Sequence, residues 1–208
     1  MAVIAVDGPA ASGKGTVARA LAEHFGLPFM DTGLLYRAVA LNLWRWGGDP
    51  GNEFEALRAC DELNLDEGDP ELRSEPVSKI ASRISAYPGV RAALLERQQA
   101  FARQPGGAVL DGRDIGTVIA PDAQVKLFVT ATAEVRADRR KKELEARGMH
   151  ATYEDVLADI RSRDERDSHR QVAPLVPAKD AILLDTSGLD VEQAIAEAIR
   201  LTEGRLRS

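Results

Sequence analysis

The sequence predicts an α/β fold: a five-stranded parallel sheet with helices packed on both faces. Apolar, strand-like runs alternate with helical stretches along the whole chain. Several of these runs are apolar, as strands covered on both faces must be: "VIAV" at 3–6 throughout, and "VKLFV" at 125–129 but for Lys126. Between the first run and the first helix lies glycine-rich "GPAASGKGT", residues 8–16. Sheets of this kind bind ligands there, beyond the carboxyl ends of their strands.

Taken in order, Val3–Val6 is the first strand. Val17–Phe25 is a helix with Val17, Ala18, Leu21, Ala22 and Phe25 on one face and Gly26 as its stop. "LPFM" is a short second strand, and the apolar helix "LLYRAVALNLWRW" closes at Gly47-Gly48. A helix is expected over 53–63, then a polar connection, "NLDEGDPELRSEP", rich in turn residues. Helices follow over 77–86 and 90–103, broken at Pro88-Gly89. "AVL" and "VKLFV" are the third and fourth strands. Charged helices cover 132–146 and 153–168, the second with a capping-box pattern in Thr152 and Asp155. "AILLD" is the fifth strand, and an amphipathic helix, "VEQAIAEAIRLTEG", ends the pattern.

The 208 residues carry a net charge of −6, which argues against non-specific nucleic-acid binding. The single cysteine, Cys60, leaves no disulfide framework within the chain. "MAVIAVDG" lacks the basic region and apolar length of a secretion signal, and no stretch approaches a membrane span. A cytoplasmic monomer without a membrane partner is therefore expected.

In the stretch Gly8, Pro9, Ala10, Ala11, Ser12, Gly13, Lys14, Gly15 and Thr16, the glycines and lysine stand at phosphate-loop spacing. Glycines let backbone N–H groups turn inward, and the lysine and helix N-terminus complete a polyphosphate cradle. Thr16 is a candidate Mg²⁺ ligand. Gly15, where serine or threonine is usual, matches the loop of nucleoside monophosphate kinases, and there is no N-K-x-D motif for guanine. The fold class is thus a three-layer phosphate-loop NTPase type; the resemblance to nucleoside monophosphate kinases implies in addition a small helical nucleotide-binding lobe and a short arginine-rich lid.

"DTGLLYR" at 31–37 follows the second strand; Thr32 can cap the next helix. Spacing alone leaves Arg37 facing solvent or a ligand equally. "LDGRDIGT" at 110–117 ends the third strand with Asp111, Arg113 and Asp114. Two carboxylates flanking an arginine there are costly to bury, whether they form a structural ion pair or a working site. In "RSRDERDSHR", Arg163, Arg166, Asp167 and Arg170 fall at i, i+3, i+4 and i+7, one face of a helix. The alternative is a solvated, salt-bridged face. The use of arginine rather than lysine favours phosphate contact. His24, His150 and His169 form no constellation with a nucleophile.

Together "DGPAASGKGT", "DTGLLYR", "ASRISAYPGVR", "DGRDIGTV", "RSRDERDSHR" and "APLVP" closely resemble the motifs of bacterial cytidylate kinases, in the same order, over residues 7–177. The resemblance implies an Mg²⁺-dependent transfer of phosphate from ATP to CMP or dCMP. It implies that residues 8–16 hold ATP and that Arg37 and Arg113 hold the acceptor phosphate, with Thr32 and Tyr36 lining its pocket. Ser82, Arg91 and Asp114 would read cytosine. Arg163 and Asp167 would reach the ribose, and Arg166 and Arg170 the phosphates in transfer. Lys14, Arg113, Arg163, Arg166 and Arg170 are the catalytic candidates. Residues 1–208 would form one kinase domain, with a nucleotide-binding lobe at 31–105 and a lid at 147–172. Many members carry an insert with a short antiparallel sheet before the segment matching "ASRISAYPGVR". Here "LNLDEGDPELRSEP" stands in its place with no alternating β pattern, so the hairpin is expected to be missing.

Overall fold

The structure, a computed structural model, describes residues 2–207. It divides into two compact units, Met1–Met30 with Ala102–Ser208, and Asp31–Phe101.

The first unit is built on the expected parallel sheet. Its strands are β1 (Val3–Asp7), β2 (Phe29–Asp31), β3 (Ala108–Gly112), β4 (Val125–Thr130) and β5 (Ile182–Asp185), in the order β2-β3-β1-β4-β5. Register pairs Asp7 with Gly112 on one side and Phe128 on the other, so β1 lies centrally, ends level with β3 and stops two residues short of the end of β4. The apolar runs are buried as their composition demands. Ile4, Val6, Val109, Val125, Leu127 and Val129 join Val17, Ala18 and Leu21 of helix α1 (Lys14–Phe25) in one core.

Gly8 and Gly13 let the chain turn between β1 and α1, with φ of 154° and 86°. A Cβ on Gly8 would lie 2.0 Å from the Val129 carbonyl oxygen, a backbone atom with no room to yield. Gly8→Ala is therefore expected to cost at least about 2 kcal/mol through strain and overpacking. Urea melts of the two proteins check this.

The second unit contains α2 (Thr32–Arg45), α3 (Glu53–Asp61), α4 (Glu75–Ile84) and most of α5 (Pro88–Ala102). Two expectations are corrected here. Thr32 is the first helical residue, and the cap is Asp31, whose carboxylate accepts the Gly33 N–H at 2.9 Å. The two helices are separate as expected, but the break falls at 85–87 and Pro88-Gly89 begins α5, because proline tolerates the first helical turn, where its missing N–H has no partner to lose. The connection between α3 and α4 contains turns and no strand. Leu72 buries itself there, and Arg45 pairs with Asp69 and Glu71.

The remaining first-unit helices are α6 (Ala133–Ala146), α7 (Tyr153–His169) and α8 (Val191–Leu206). Thr152 caps α7, accepting the Asp155 N–H at 3.1 Å. Residues Ile115–Ile119 form a single π-helical segment that the sequence reading did not anticipate. Among the described residues no helix is long and apolar enough to cross a membrane.

Candidate active site

The loop 8–16 leaves the end of β1 and delivers Lys14 as the first residue of α1. Lys14 Nζ lies 3.0 Å from Asp111 Oδ1, at the end of neighbouring β3. A Cβ on Gly15 would stand 3.0 Å from Asp111 Oδ2. Glycine there lets the Asp111 carboxylate reach Lys14 undisturbed. Thr16 is exposed in the first turn of α1.

Beside the loop opens a cavity of about 460 Å³, lined among others by Gly13, Thr16, Arg139, Thr186, Leu189 and Ala194. Arg139 is braced at its rim, donating to Thr186 Oγ1 at 2.9 Å and to the Thr186 carbonyl at 2.7 Å. Thr186, just after β5, lines this cavity, and no residue of 172–177 does. Arg139 was missed because it lies in the charged run of α6, which looks like a solvated face.

After β3, Arg113 donates through Nε to Asp167 Oδ2 at 3.0 Å and through Nη1 to the Gly112 carbonyl at 3.2 Å. Asp114 is buried, with Arg170 Nη2 at 3.5 Å from its Oδ1. Burial and the nearby Arg113 guanidinium hold Arg163 below the usual arginine range, with Arg140 adding to the repulsion and Asp159 and Asp167 opposing it. Cations crowded in this way gain from an anion between them. Arg166 donates to Ser162 Oγ at 3.5 Å. The expected single helical face needs correction. Arg163, Arg166 and Asp167 lie on α7, but Arg170 follows the helix in extended conformation and reaches Asp114 from there. Asp164 turns to Arg136 instead, at 2.6 Å.

Asp7 was not singled out from the sequence, although a charged residue ending an apolar strand was a usable signal. It is 4% exposed, and its carboxylate accepts the N–H groups of Ile115 and Gly116, each at 2.8 Å. Burial pushes its pKa up to about 6 against the two backbone donors, with the Asp114 and Asp111 carboxylates adding to the rise. An unfolded aspartate titrates near 3.8, so the folded chain holds this proton about two pH units longer. The stability it contributes is complete below pH ~4 and is lost as pH rises through ~6, a difference of roughly 3 kcal/mol. The stability gap between wild type and Asp7→Asn should therefore shift by that amount, against wild type, across this window. Denaturant melts at a series of pH values read it.

In the helical unit, Arg37 donates to the Leu72 carbonyl at 3.3 Å and to Ser78 Oγ at 3.1 Å. Arg91 donates to the Ser85 carbonyl at 3.2 Å, at the end of α4, and its guanidinium carbon lies 5.9 Å from the centre of the Tyr36 ring. Thr32, Tyr36, Ser82 and Arg91 are all buried. Thus Tyr36 and Arg91 adjoin within this unit, while Arg113, Asp114, Arg163, Asp167 and Arg170 cluster within the other.

Comparison with known proteins gives the family and the fold. A sequence profile of the family described as "Cytidylate kinase" matches residues 4–204. The cytidylate kinase of Xanthobacter autotrophicus is 60% identical over 206 residues, covering 98% of each chain. That of Paramagnetospirillum magneticum is 56% identical over 201 residues, covering 95% of each. Among solved structures, a shikimate kinase from Bacteroides thetaiotaomicron aligns over 100% of this chain and 99% of its own, with a TM-score of 0.51 at 15% identity. A sugar kinase from a Janibacter species aligns over 98% and 95%, with a TM-score of 0.50 at 20% identity. At such identities these two establish the fold alone.

Proposed function

Because this chain belongs to the cytidylate kinase family, we propose that it transfers the terminal phosphoryl group of ATP directly to the phosphate of CMP, and of dCMP, as a step of pyrimidine nucleotide metabolism. The observation that supports the chemistry is the cluster in which Arg113 meets buried Asp167 at 3.0 Å and Arg170 meets buried Asp114 at 3.5 Å, with Arg163 one turn before Asp167 on α7. Such a cluster is poised for a group whose oxygens gain negative charge in the transition state.

In this reading residues 8–16 hold the ATP phosphates, with Lys14 leaving Asp111 for the nucleotide. The cavity lined by Arg139, Thr186 and Leu189 takes the adenine ring; its volume of about 460 Å³ suits one. Arg37 and Arg113 hold the acceptor phosphate, with Thr32 and Tyr36 beside it. Ser82, Arg91 and Asp114 read the base, and Arg163 and Asp167 the ribose. Arg166 and Arg170 join Lys14, Arg113 and Arg163 in neutralising the group in flight. No general base is required, because the attacking atom is already a phosphate oxygen. The 147–172 segment closes as a lid to keep water from intercepting the phosphoryl group.

Mg²⁺ fits the donors present. No group of three His, Cys, Asp or Glu among the described residues could hold a metal ion by itself, and Thr16 is exposed where the loop enters α1. A cation that keeps its waters and takes phosphate oxygens from the nucleotide suits so sparse a set. When bound, it neutralises charge on the transferred phosphate.

A coupled assay for nucleoside diphosphate, offering CMP, dCMP, UMP and AMP in turn, tests the reading. CMP and dCMP should be turned over well ahead of the others; preference for UMP or AMP would reject it.

A further inference from the structure

We propose that Asp7 is a positioning residue for the acceptor side of the reaction: its two carboxylate oxygens grip the backbone of Ile115 and Gly116 and so fix Arg113 and Asp114 against the phosphate loop. The inference rests on the reading of Arg113 and Asp114 as acceptor-nucleotide residues.

Asp7 is the last residue of β1, and the next residue, Gly8, opens the loop. Its Oδ1 accepts from Ile115 and its Oδ2 from Gly116. These are the first N–H groups of the π-helical segment, which lack partners within their own helix. The segment turns back at once on Asp114, whose carbonyl accepts the N–H groups of Val118 and Ile119. It is pinned from a second side as well. A Cβ on Gly116 would stand 3.1 Å from Lys126 Cδ and 3.4 Å from Asp7 Oδ2. The charged groups that bear on Asp7 are Asp111 at the end of β3 and Asp114 after it, with the Lys126 stem from β4 packed against the same glycine.

A buried carboxylate at this point is costly, and the four residues before it in β1 are all apolar. Two parallel N–H groups call for two acceptor oxygens. An asparagine would match one and oppose the other with its own N–H. The side chain thus couples the start of the donor loop to the two residues that immediately precede the gripped pair. Those residues then meet α7 and its C-terminal end, Arg113 through Asp167 and Asp114 through Arg170.

The test uses Asp7→Asn, with steady-state kinetics varying CMP and ATP separately and a thermal melt on the same preparation. The expected result is a kcat/KM for CMP reduced at least about tenfold, as sub-ångström misplacement of catalytic groups produces. The KM for ATP should stay within about twofold and Asp7→Leu, with neither acceptor, should fall further. Equal losses toward CMP and ATP would overturn the proposal, since they mark a general structural role, and so would wild-type kinetics. Should Asp7→Asn fail to fold, Gly116→Ala, which pushes on the same contact, is read by the same criteria. Wild-type protein run alongside separates the two claims: if it does not phosphorylate CMP, the substrate reading fails. Amide exchange at Ile115 and Gly116 then judges the grip without substrate; it should be faster in Asp7→Asn, and unchanged exchange would refute the grip.

Discussion

Arg113→Ala will lower kcat with CMP by at least about 100-fold, or ~3 kcal/mol, the scale of one lost donor at a developing charge. Two features set this expectation. Arg113 is held by Asp167 and by the Gly112 carbonyl, so its guanidinium arrives pre-positioned and costs little ordering on the reaction path. It also crowds Arg163, and the pair is relieved when a multiply charged phosphate enters. Removing Arg113 relaxes Arg163 but also takes an ion-pair partner from buried Asp167, so the free protein should lose some stability besides its activity. Arg113→Lys restores charge without the planar fork and should recover only part of the loss. Single-turnover kinetics beside a denaturant melt separate the two effects; an unchanged rate would remove Arg113 from the chemistry.

The second large effect concerns the base. Cytosine offers acceptors at N3 and O2 and a donor at its exocyclic amine. In the proposed reading Arg91 donates to the former and Asp114 accepts from the latter. Uracil keeps its O2 acceptor but turns N3 into a donor and the exocyclic amine into a carbonyl, stranding a buried polar group at each of these two positions at ~1–3 kcal/mol, so kcat/KM should favour CMP over UMP by about 2–6 kcal/mol, roughly 30-fold or more. Asp114→Asn substitutes an amide that can turn its N–H toward uracil's carbonyl, and should narrow the preference at least about tenfold. It also removes the charge facing Arg170 in a buried setting, so overall activity falls for both nucleotides. An undiminished preference for CMP in the variant would take Asp114 out of base recognition.

The strands were legible because a strand covered on both faces is mostly apolar: "VIAV" is so throughout and "VKLFV" but for Lys126, while "AILLD" became an edge strand with Leu183 exposed. The loop was legible because few residues other than glycine survive where Gly8 stands against the Val129 carbonyl. The site was harder to read wherever a role depends on a partner far away in the chain. "IGTVI" has the composition of a strand, yet it is π-helical; its first N–H groups are satisfied by Asp7, more than 100 residues earlier. Asp7 itself looked like the margin of a strand. Arg139 sat among the charges of α6 and showed its purpose only once Thr186 came beside it. Arg170 was placed on a helical face by its spacing, whereas the helix ends one residue before it.

The central claim is that the phosphoryl group passes straight from one bound nucleotide to the other. A single-turnover mixture of enzyme, Mg²⁺, CMP and ATP radiolabelled in its terminal phosphate tests it most directly. The account expects the label in CDP with none on the protein at any time. Label accumulating on the protein before CDP appears, or released only as inorganic phosphate, would contradict it.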